Sequence, residues 1–305
     1  MKDEKLLMAE AAILYYREGK TQQEIAKLLS LSRQTVSKLL ERAISEKVVE
    51  IIIHDPQADR QALEQSLCDI FGIRSCVVCP VSGKSESLAR LMTVRAAAEY
   101  LLPLLQAGGL KIALSWGRTV EELIGALPRI ATEGNTVFPL FGATDTEKSY
   151  FSSNELARSL ADKLGATVKS AWFPYLAENE AECDLLRQIS CYRNMEKLWD
   201  SADLAILGIG SGEILDVFAS TFGSSPVHSQ AVGDLATHFF NAQGEFLPIC
   251  EHTLRAGTEN LLNAKHTVAV ACGAEKVAAI GGALRTGLVH TLITDERTAK
   301  LLVSK

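Results

Sequence analysis

Long uninterrupted apolar runs are missing from this chain of 305 residues. None reaches the roughly 18 residues that a bilayer-spanning helix needs. The opening Met-Lys-Asp-Glu-Lys leads into an amphipathic helix and lacks the pattern of a secretory signal. The expected location is the cytoplasm, with no membrane partner. An even set of cysteines is missing too. The seven present, without a signal, argue against a disulfide framework. Cys76-Val-Val-Cys79 has CxxC spacing, but no second Cys or His pair stands at zinc spacing, and the four residues read as a buried strand. Neither metal nor cofactor is expected. A positive excess is also absent. Against 31 Lys and Arg stand 37 Asp and Glu, a net charge of −6 that looks wrong for a DNA binder. There is no internal repeat and no low-complexity segment. What remains is a chain 47% hydrophobic, able to bury a sizeable core in roughly two domains.

The charge is uneven, and its exception is informative. Residues 20–47 carry six cations against three carboxylates, a local excess of three. Within them Thr21 is a good N-cap, with Glu24 three residues on to complete a capping box. Ile25, Leu28 and Leu29 then form one helical face. Ser30-Leu31-Ser32 breaks the run, and Ser32 can cap a second helix on which Val36, Leu39, Leu40 and Ala43 repeat. The two faces can pack on each other and on an earlier helix carrying Ala9, Ile13 and Tyr16. This is the pattern of a helix-turn-helix, whose second helix enters the major groove by its N-terminal residues. Those residues are Arg33, Gln34, Thr35, Ser37 and Lys38. Arg suits guanine, Gln suits adenine, and Thr or Ser suits base edges or phosphate. Gln22 and Gln23 suit phosphate contacts at the start of the first helix. The β-branched stretch 47–54 reads as a strand of a small wing. A pair of capped amphipathic helices also occurs in hairpins of every function. The turn length and the outward cluster of Arg, Gln, Thr, Ser and Lys favour the DNA reader.

These signals divide the chain into a DNA-binding domain at 1–53, a linker at 54–60 and a second domain at 61–305. In the second, apolar strands are expected near 75–79, 110–114, 136–141, 167–173, 203–209, 267–272 and 289–294. Helices are expected near 86–105, 119–127, 154–164, 180–191, 195–201, 276–286 and 295–302. Short continuous apolar strands alternating with helices imply a doubly wound, mostly parallel α/β sheet. Ligands of such sheets bind beyond the carboxyl ends of the strands. Four loops in that position are rich in small residues: Ser115-Trp-Gly-Arg-Thr119, Phe141-Gly-Ala-Thr-Asp145, Gly208-Ile-Gly-Ser-Gly212 and Cys272-Gly-Ala-Glu-Lys276. Glycine admits close backbone approach, and helix starts favour anions. Lys276 is a cation at a helix start, where the dipole disfavours it, so a compensating phosphate is expected. Asp234, in Val232-Gly-Asp234, can accept from sugar hydroxyls or serve as a turn residue. Each loop could equally be a tight αβ turn. Four together point to a phosphorylated small ligand.

These loops, in this order behind this helix-turn-helix, resemble the bacterial sugar-operon regulators called the SorC family. The resemblance is carried by Ser115-Trp116-Gly117-Arg118-Thr119, by Asn154 with Ala157 and Ala161, and by Asp203 with Gly208-Ile209-Gly210-Ser211. It continues through Ala231-Val232-Gly233-Asp234, then Gly273, Lys276, Ile280, Ala283-Leu284 and Leu292-Ile293-Thr294-Asp295. It covers nearly the whole chain. It implies a transcription factor, a dimer or tetramer of like chains, that binds operator DNA. The second domain would be related in fold to sugar-phosphate isomerases and deaminases, and would bind a phosphorylated sugar effector without turning it over. Carried over by position, the phosphate loop is Phe141-Gly142-Ala143-Thr144, backed by Gly273, Glu275 and Lys276, with Gly117 nearby and Asp234 at the sugar hydroxyls. Phe141 stands where some relatives have a Schiff-base lysine, so no covalent adduct forms there. Ala143 replaces a frequent glycine, and His290 a frequent asparagine.

The alternative is an isomerase or deaminase with an added DNA-binding domain. It would need a base near neutrality, for which Asp145, Glu147, Asp216 and Asp234 are the candidates. No Asp-x-His pair accompanies them, and His228 lies six residues before Asp234. A DNA-binding domain fused to an interaction domain without a ligand is a third reading, against which the glycine-rich loops argue. If the second helix reads bases, Arg33→Ala or Gln34→Ala should relax base preference by about 1–3 kcal/mol per lost bidentate contact. Binding measured across a set of operator variants checks this. Unchanged affinity and selectivity in both would remove the assignment.

Overall fold

The computed structural model describes residues 2–50, 56–81, 83–145, 148–211, 226–249 and 251–304. The chain forms two units, Met1–Pro56 and Gln57–Lys305. The first is helical. Helix α1 (Lys2–Ala12) runs into a π-helical turn (Ile13–Arg17), followed by α2 (Gln22–Leu28) and α3 (Arg33–Ser45). Thr21 and Glu24 form the capping box, and the Ser32 hydroxyl accepts the Thr35 N–H at 3.0 Å. Ser30 takes the left-handed conformation that turns the chain between α2 and α3. Ile25, Ala26, Val36, Leu39, Leu40 and Ala43 are buried with Met8, Ala11 and Ala12.

Two faces differ from expectation. The inward face of α1 is Met8, Ala11 and Ala12, while Ile13 and Tyr16 are exposed and Ala9 is half-buried. The two alanines let α1 approach α3 closely, which the bulkier stripe would not. On α2, Ala26 takes the inward place expected for Leu28, which is exposed. The expected wing strand is not formed over its described part. Lys47 is left-handed, and the Val48 and Val49 N–H groups both bond the Ala43 carbonyl, so these residues close the end of α3. Residues 51–54 lie outside the described residues.

The second unit opens with α4 (Pro56–Phe71), so residues 56–60 are helix where a linker was expected. Proline suits the first helical position, where its missing N–H has no partner to lose. The strands are β1 (Ser75–Cys79), β2 (Lys111–Leu114), β3 (Thr136–Pro139), β4 (Thr167–Val168), β5 (Leu204–Gly210), β6 (Gly233–Leu235), β7 (His238–Phe240), β8 (His266–Val270) and β9 (Thr291–Asp295). The helices are α5 (Glu86–Gln106), α6 (Arg118–Ala126), α7 (Ser153–Leu164), α8 (Glu180–Gln188), α9 (Ser190–Trp199), α10 (Thr258–Asn263), α11 (Val277–Arg285) and α12 (Glu296–Val303). The main sheet runs β1-β9-β8-β5-β2-β3-β4, every neighbouring pair parallel. The chain leaves β2 towards β3 and β4, then returns through β5 on the other side of β2. The order therefore reverses between β2 and β5, the place where such sheets open a crevice.

Some boundaries moved for local reasons. The expected strand at 136–141 stops at Pro139, and that at 167–173 pairs over two residues only. The expected helix at 180–191 breaks at extended Ile189, and α9 then runs on from Ser190. The apolar run after Asp234 is a hairpin. β6 pairs antiparallel with the end of β5 and with β7. Its turn residues, Ala236 and Thr237, have φ of 47° and 61°, costly for non-glycine residues. Cys76 and Cys79 are buried with free thiols, and burial raises both thiol pKa values. Among the described residues no helix is long and apolar enough to cross a membrane. Ile25 is fully buried, so Ile25→Ala should cost the helical unit about 2–5 kcal/mol. Amide exchange should accelerate across α2 and α3 and stay unchanged in the sheet.

Candidate functional site

In the helical unit, Arg33, Gln34, Thr35 and Lys38 are exposed at the start of α3, and Ser37 and Gln22 are half-buried. They are not equivalent. The Thr35 hydroxyl bonds the capping Ser32 hydroxyl at 2.7 Å, and Ser37 donates to Glu41 at 3.4 Å. Both are engaged in holding the helix start. Arg33, Gln34 and Lys38 make no side-chain hydrogen bond or ion pair within the described residues, which leaves their donors for a partner. Arg42 is engaged at the surface, bonding Glu4 of α1 and Glu46. Its hydrogen bond, and then its positive charge, hold the Glu4 carboxyl below the ordinary range.

In the second unit a cavity of about 320 Å³ lies beyond the ends of β2, β5 and β8. That volume suits a small ligand. One wall is the start of α6. Gly117, with φ of 112°, caps that helix without a side-chain bond, and its own N–H is held by the Tyr150 carbonyl at 2.7 Å. Arg118 and Thr119 open the helix and line the cavity, at the end whose N–H groups favour an anion. Arg118 also lies 5.4 Å over the Tyr150 ring. Lys276 also lines the cavity, donating one hydrogen to the Ile209 carbonyl at 3.0 Å. An ammonium has three donors. Arg90 comes from α5 and pairs with Glu122 at 3.2 Å.

Two carboxylates line the cavity as well. Asp234 is buried, and its Oδ2 accepts the Thr237 N–H at 3.1 Å. A Cβ on Gly210 would lie 1.8 Å from Asp234 Oδ1, so only glycine lets the carboxylate stand there. Burial raises the Asp234 carboxyl to about 6, opposed by the Thr237 hydrogen bond and by Lys276 and Arg255. Arg255 also donates to the carbonyl and hydroxyl of Thr237, holding the strained turn. Glu275 lines the same cavity. Its carboxylate lies over Gly273, where a Cβ would come within 2.3 Å of Oε1.

Of the residues expected to hold an effector, Gly117, Asp234, Glu275 and Lys276 therefore meet around one cavity. Gly273 does not line it. Its N–H is bound to Asp295 and Thr298 at 3.1 and 2.9 Å, which supports the loop from behind. Phe141, Gly142, Ala143 and Thr144 also lie off the cavity, so the expected phosphate loop requires correction. The Gly142 N–H bonds the Leu254 carbonyl and the Ala143 N–H bonds the Phe173 carbonyl, leaving neither for a phosphate. Gly142 is glycine because Pro174 backbone lies against it, 2.3 Å from a would-be Cβ. The Thr144 hydroxyl donates to the Phe151 carbonyl at 2.7 Å. Phe141 is buried, stacked on Trp116 with ring centroids 4.2 Å apart. Arg90, Tyr150, Phe151 and Ala236 line the cavity without having been expected. No motif surrounds them in sequence, since they arrive from other elements. Of the alternative's carboxylates, Asp145 is exposed off the cavity, while Glu147 and Asp216 fall outside the described residues.

This architecture is shared. Residues 55–304 match the Sugar-bind family of sugar-binding domains, and residues 10–46 match sigma-70 region 4. The sorbitol operon regulator of Klebsiella pneumoniae is 30% identical over 99% of this chain and 98% of its own length. The chain belongs to the SorC family of bacterial transcriptional regulators. The full-length crystal structure of that SorC protein superposes with a TM-score of 0.75, covering 99% of both chains. The erythritol catabolism regulator EryD of Brucella abortus is 28% identical over 98% of this chain and 96% of its own. As a SorC-family member the chain is a DNA-binding transcriptional regulator.

The pKa of Asp234 gives the site a pH signature. A carboxyl raised from 3.8 to about 6 on folding binds its proton more tightly in the folded state. That contribution to stability is full below the unfolded value and is lost as pH rises through about 6. Asp234→Asn cannot titrate. Between about pH 4 and about pH 7 its stability should gain on the wild type by on the order of 2–3 kcal/mol. Paired urea titrations across that range check it, and parallel pH profiles would show that Asp234 does not titrate as stated.

Proposed function

We propose that this protein regulates a sugar-utilisation operon from the cytoplasm, as a dimer or tetramer, under control of a phosphorylated sugar. The carrying observation is the cavity at the sheet's switch point, lined by charges of both signs. Lys276, Arg118 and Arg90 bring positive charge to its lining, Arg118 at a helix start, and Asp234 and Glu275 bring carboxylates to the same lining. A phosphate paired with the cations and hydroxyls donating to the carboxylates match that lining. In this reading Gly117 shapes the approach to the phosphate end, and Phe141–Thr144 stiffen the floor. Gln22, Arg33, Gln34, Thr35, Ser37 and Lys38 remain the candidate DNA contacts, with Arg33, Gln34 and Lys38 the base or phosphate readers. One small basic head binds weakly, so paired heads supply the affinity. The effector acts by its differential affinity for two arrangements of the assembly.

Asp234 favours a second reading, because a buried carboxyl near 6 is what a general base requires. No histidine lines the cavity among the described residues, and binding without turnover accords with the named relatives. Release of product from ribose- or glucosamine-type phosphates by the pure protein would establish catalysis.

A thermal-shift screen of sugar phosphates tests the main reading. A ligand at 100 times its Kd should stabilise the protein by about 2.7 kcal/mol. Lys276→Ala should weaken that ligand at least tenfold, about 1.4 kcal/mol, and leave effector-free DNA binding intact. A normal effector response in Lys276→Ala would remove the lysine from the site.

A further inference from the structure

His290 stands one residue before β9, at the end of the sheet where the parallel strands begin, and joins three of them there. Its carbonyl accepts the Arg74 and Ser75 N–H groups at 2.8 and 3.2 Å, and its own N–H donates to the Thr267 carbonyl at 3.1 Å. The side chain completes the join, since its Nδ1 accepts the Thr267 N–H at 3.0 Å. An accepting Nδ1 carries no proton, so the ring is the neutral Nε2–H tautomer. Thr267 is fully buried, and its N–H depends on that acceptor. The surroundings suit a neutral ring. His266 lies 6.5 Å away, its Nε2 2.9 Å from the Thr291 hydroxyl, which the Tyr100 hydroxyl of α5 meets at 3.3 Å. Arg74 donates to the Lys265 carbonyl at 2.9 Å. Asp203 is occupied by Lys265 at 2.7 Å and by the Lys111 N–H at 2.9 Å. Burial, then the charges of Arg74 and His266, hold the His290 ring below its ordinary value of 6.5. Burial, then Arg74, lower His266 in the same way.

We infer that His290 is a proton-operated latch at the base of the sugar-binding domain: neutral, it closes β8 on β9, and protonated, it releases the Thr267 N–H and opens that end of the pair. A protonated Nδ1 is a donor facing a donor. The ring is half-buried, so it can turn out to water. The buried N–H it leaves without an acceptor is costly to keep in place, and the strand end opens with it. Both rings bind a proton less tightly in the folded state than in the unfolded one. Their contribution to stability is full above 6.5 and is lost as pH falls below it. Asp234 acts with the opposite sign, which keeps the two effects apart. β8 leads into Cys272, Glu275 and Lys276 at the effector cavity, and β9 ends in Asp295, whose carboxylate holds the Gly273 N–H. The latch clamps at their base the two strands that carry this loop, and acid slackens them.

Hydrogen exchange of the full chain, read on peptides covering β8 and corrected for the intrinsic effect of pH, tests the latch. In the wild type the start of β8 should exchange at least tenfold faster at about pH 5.5 than at about pH 7.5. His290→Asn offers an amide oxygen in place of Nδ1 and cannot titrate, so its protection should be the same at both. His290→Ala offers no acceptor, and its β8 should already be open at the higher pH. His266→Gln should keep the switch. A wild type equally protected at both pH values overturns the latch. His290→Asn opening in acid as the wild type does overturns it too, because the proton then acts elsewhere. Loss of the switch in His266→Gln, with His290 intact, removes the role from His290. Should His290→Ala fail to fold, the wild type and His290→Asn still decide.

Discussion

The carboxylate of Asp234 stands where a side chain on Gly210 would have to be, and the polar half of the cavity depends on that substitution of one group for another. β5 extends far enough for its last residues to leave the parallel sheet and pair antiparallel with β6, Ile209 with Leu235 and Gly210 with Asp234. The pairing pulls a carboxylate out of water, at a cost seen in its raised pKa. The Thr237 N–H and the charges of Lys276 and Arg255 offset part of the cost. The hairpin turn is itself strained at Ala236 and Thr237, and Arg255 fastens it from outside. An isolated strained turn would relax. This one persists because strand, carboxylate and arginine hold one another.

The helix-turn-helix was legible in the sequence because its determinants are local. Thr21, Glu24 and Ser32 act within one helical turn of themselves, and each caps as its spacing requires. The face of α1 was misread because periodicity finds a stripe without saying whether it is the buried one. Both stripes of α1 are apolar, and the smaller residues went inward. In the second unit the alternation of short apolar strands and helices gave the layering, while the hairpin escaped because neither turn residue is a glycine, asparagine or aspartate.

The cavity was legible by halves, and the division has one cause. Gly117, Asp234, Glu275 and Lys276 bring side chains or helix starts to the ends of β2, β5 and β8, where topology opens a crevice. Gly142 was glycine for another reason. A loop of small residues looks the same in sequence whether it cradles a ligand or lies against Pro174. Only the destination of its N–H groups separates the two, and those destinations, Leu254 and Phe173, are more than a hundred and about thirty residues away.

Strands β2 and β5 join distant parts of the chain: the Lys111 N–H is held by Asp203, 92 residues on. Closing such a loop must precede any reward from its contacts, an entropic cost that local helical contacts do not carry. The helical unit has mostly short-range contacts and is made first during synthesis. A chain still being made thus completes its helix-turn-helix before its sugar-binding domain. The modest charge of that unit, a local excess of three, then has a consequence of its own: a chain cut short after it offers few phosphate contacts and little sequence-independent hold on DNA.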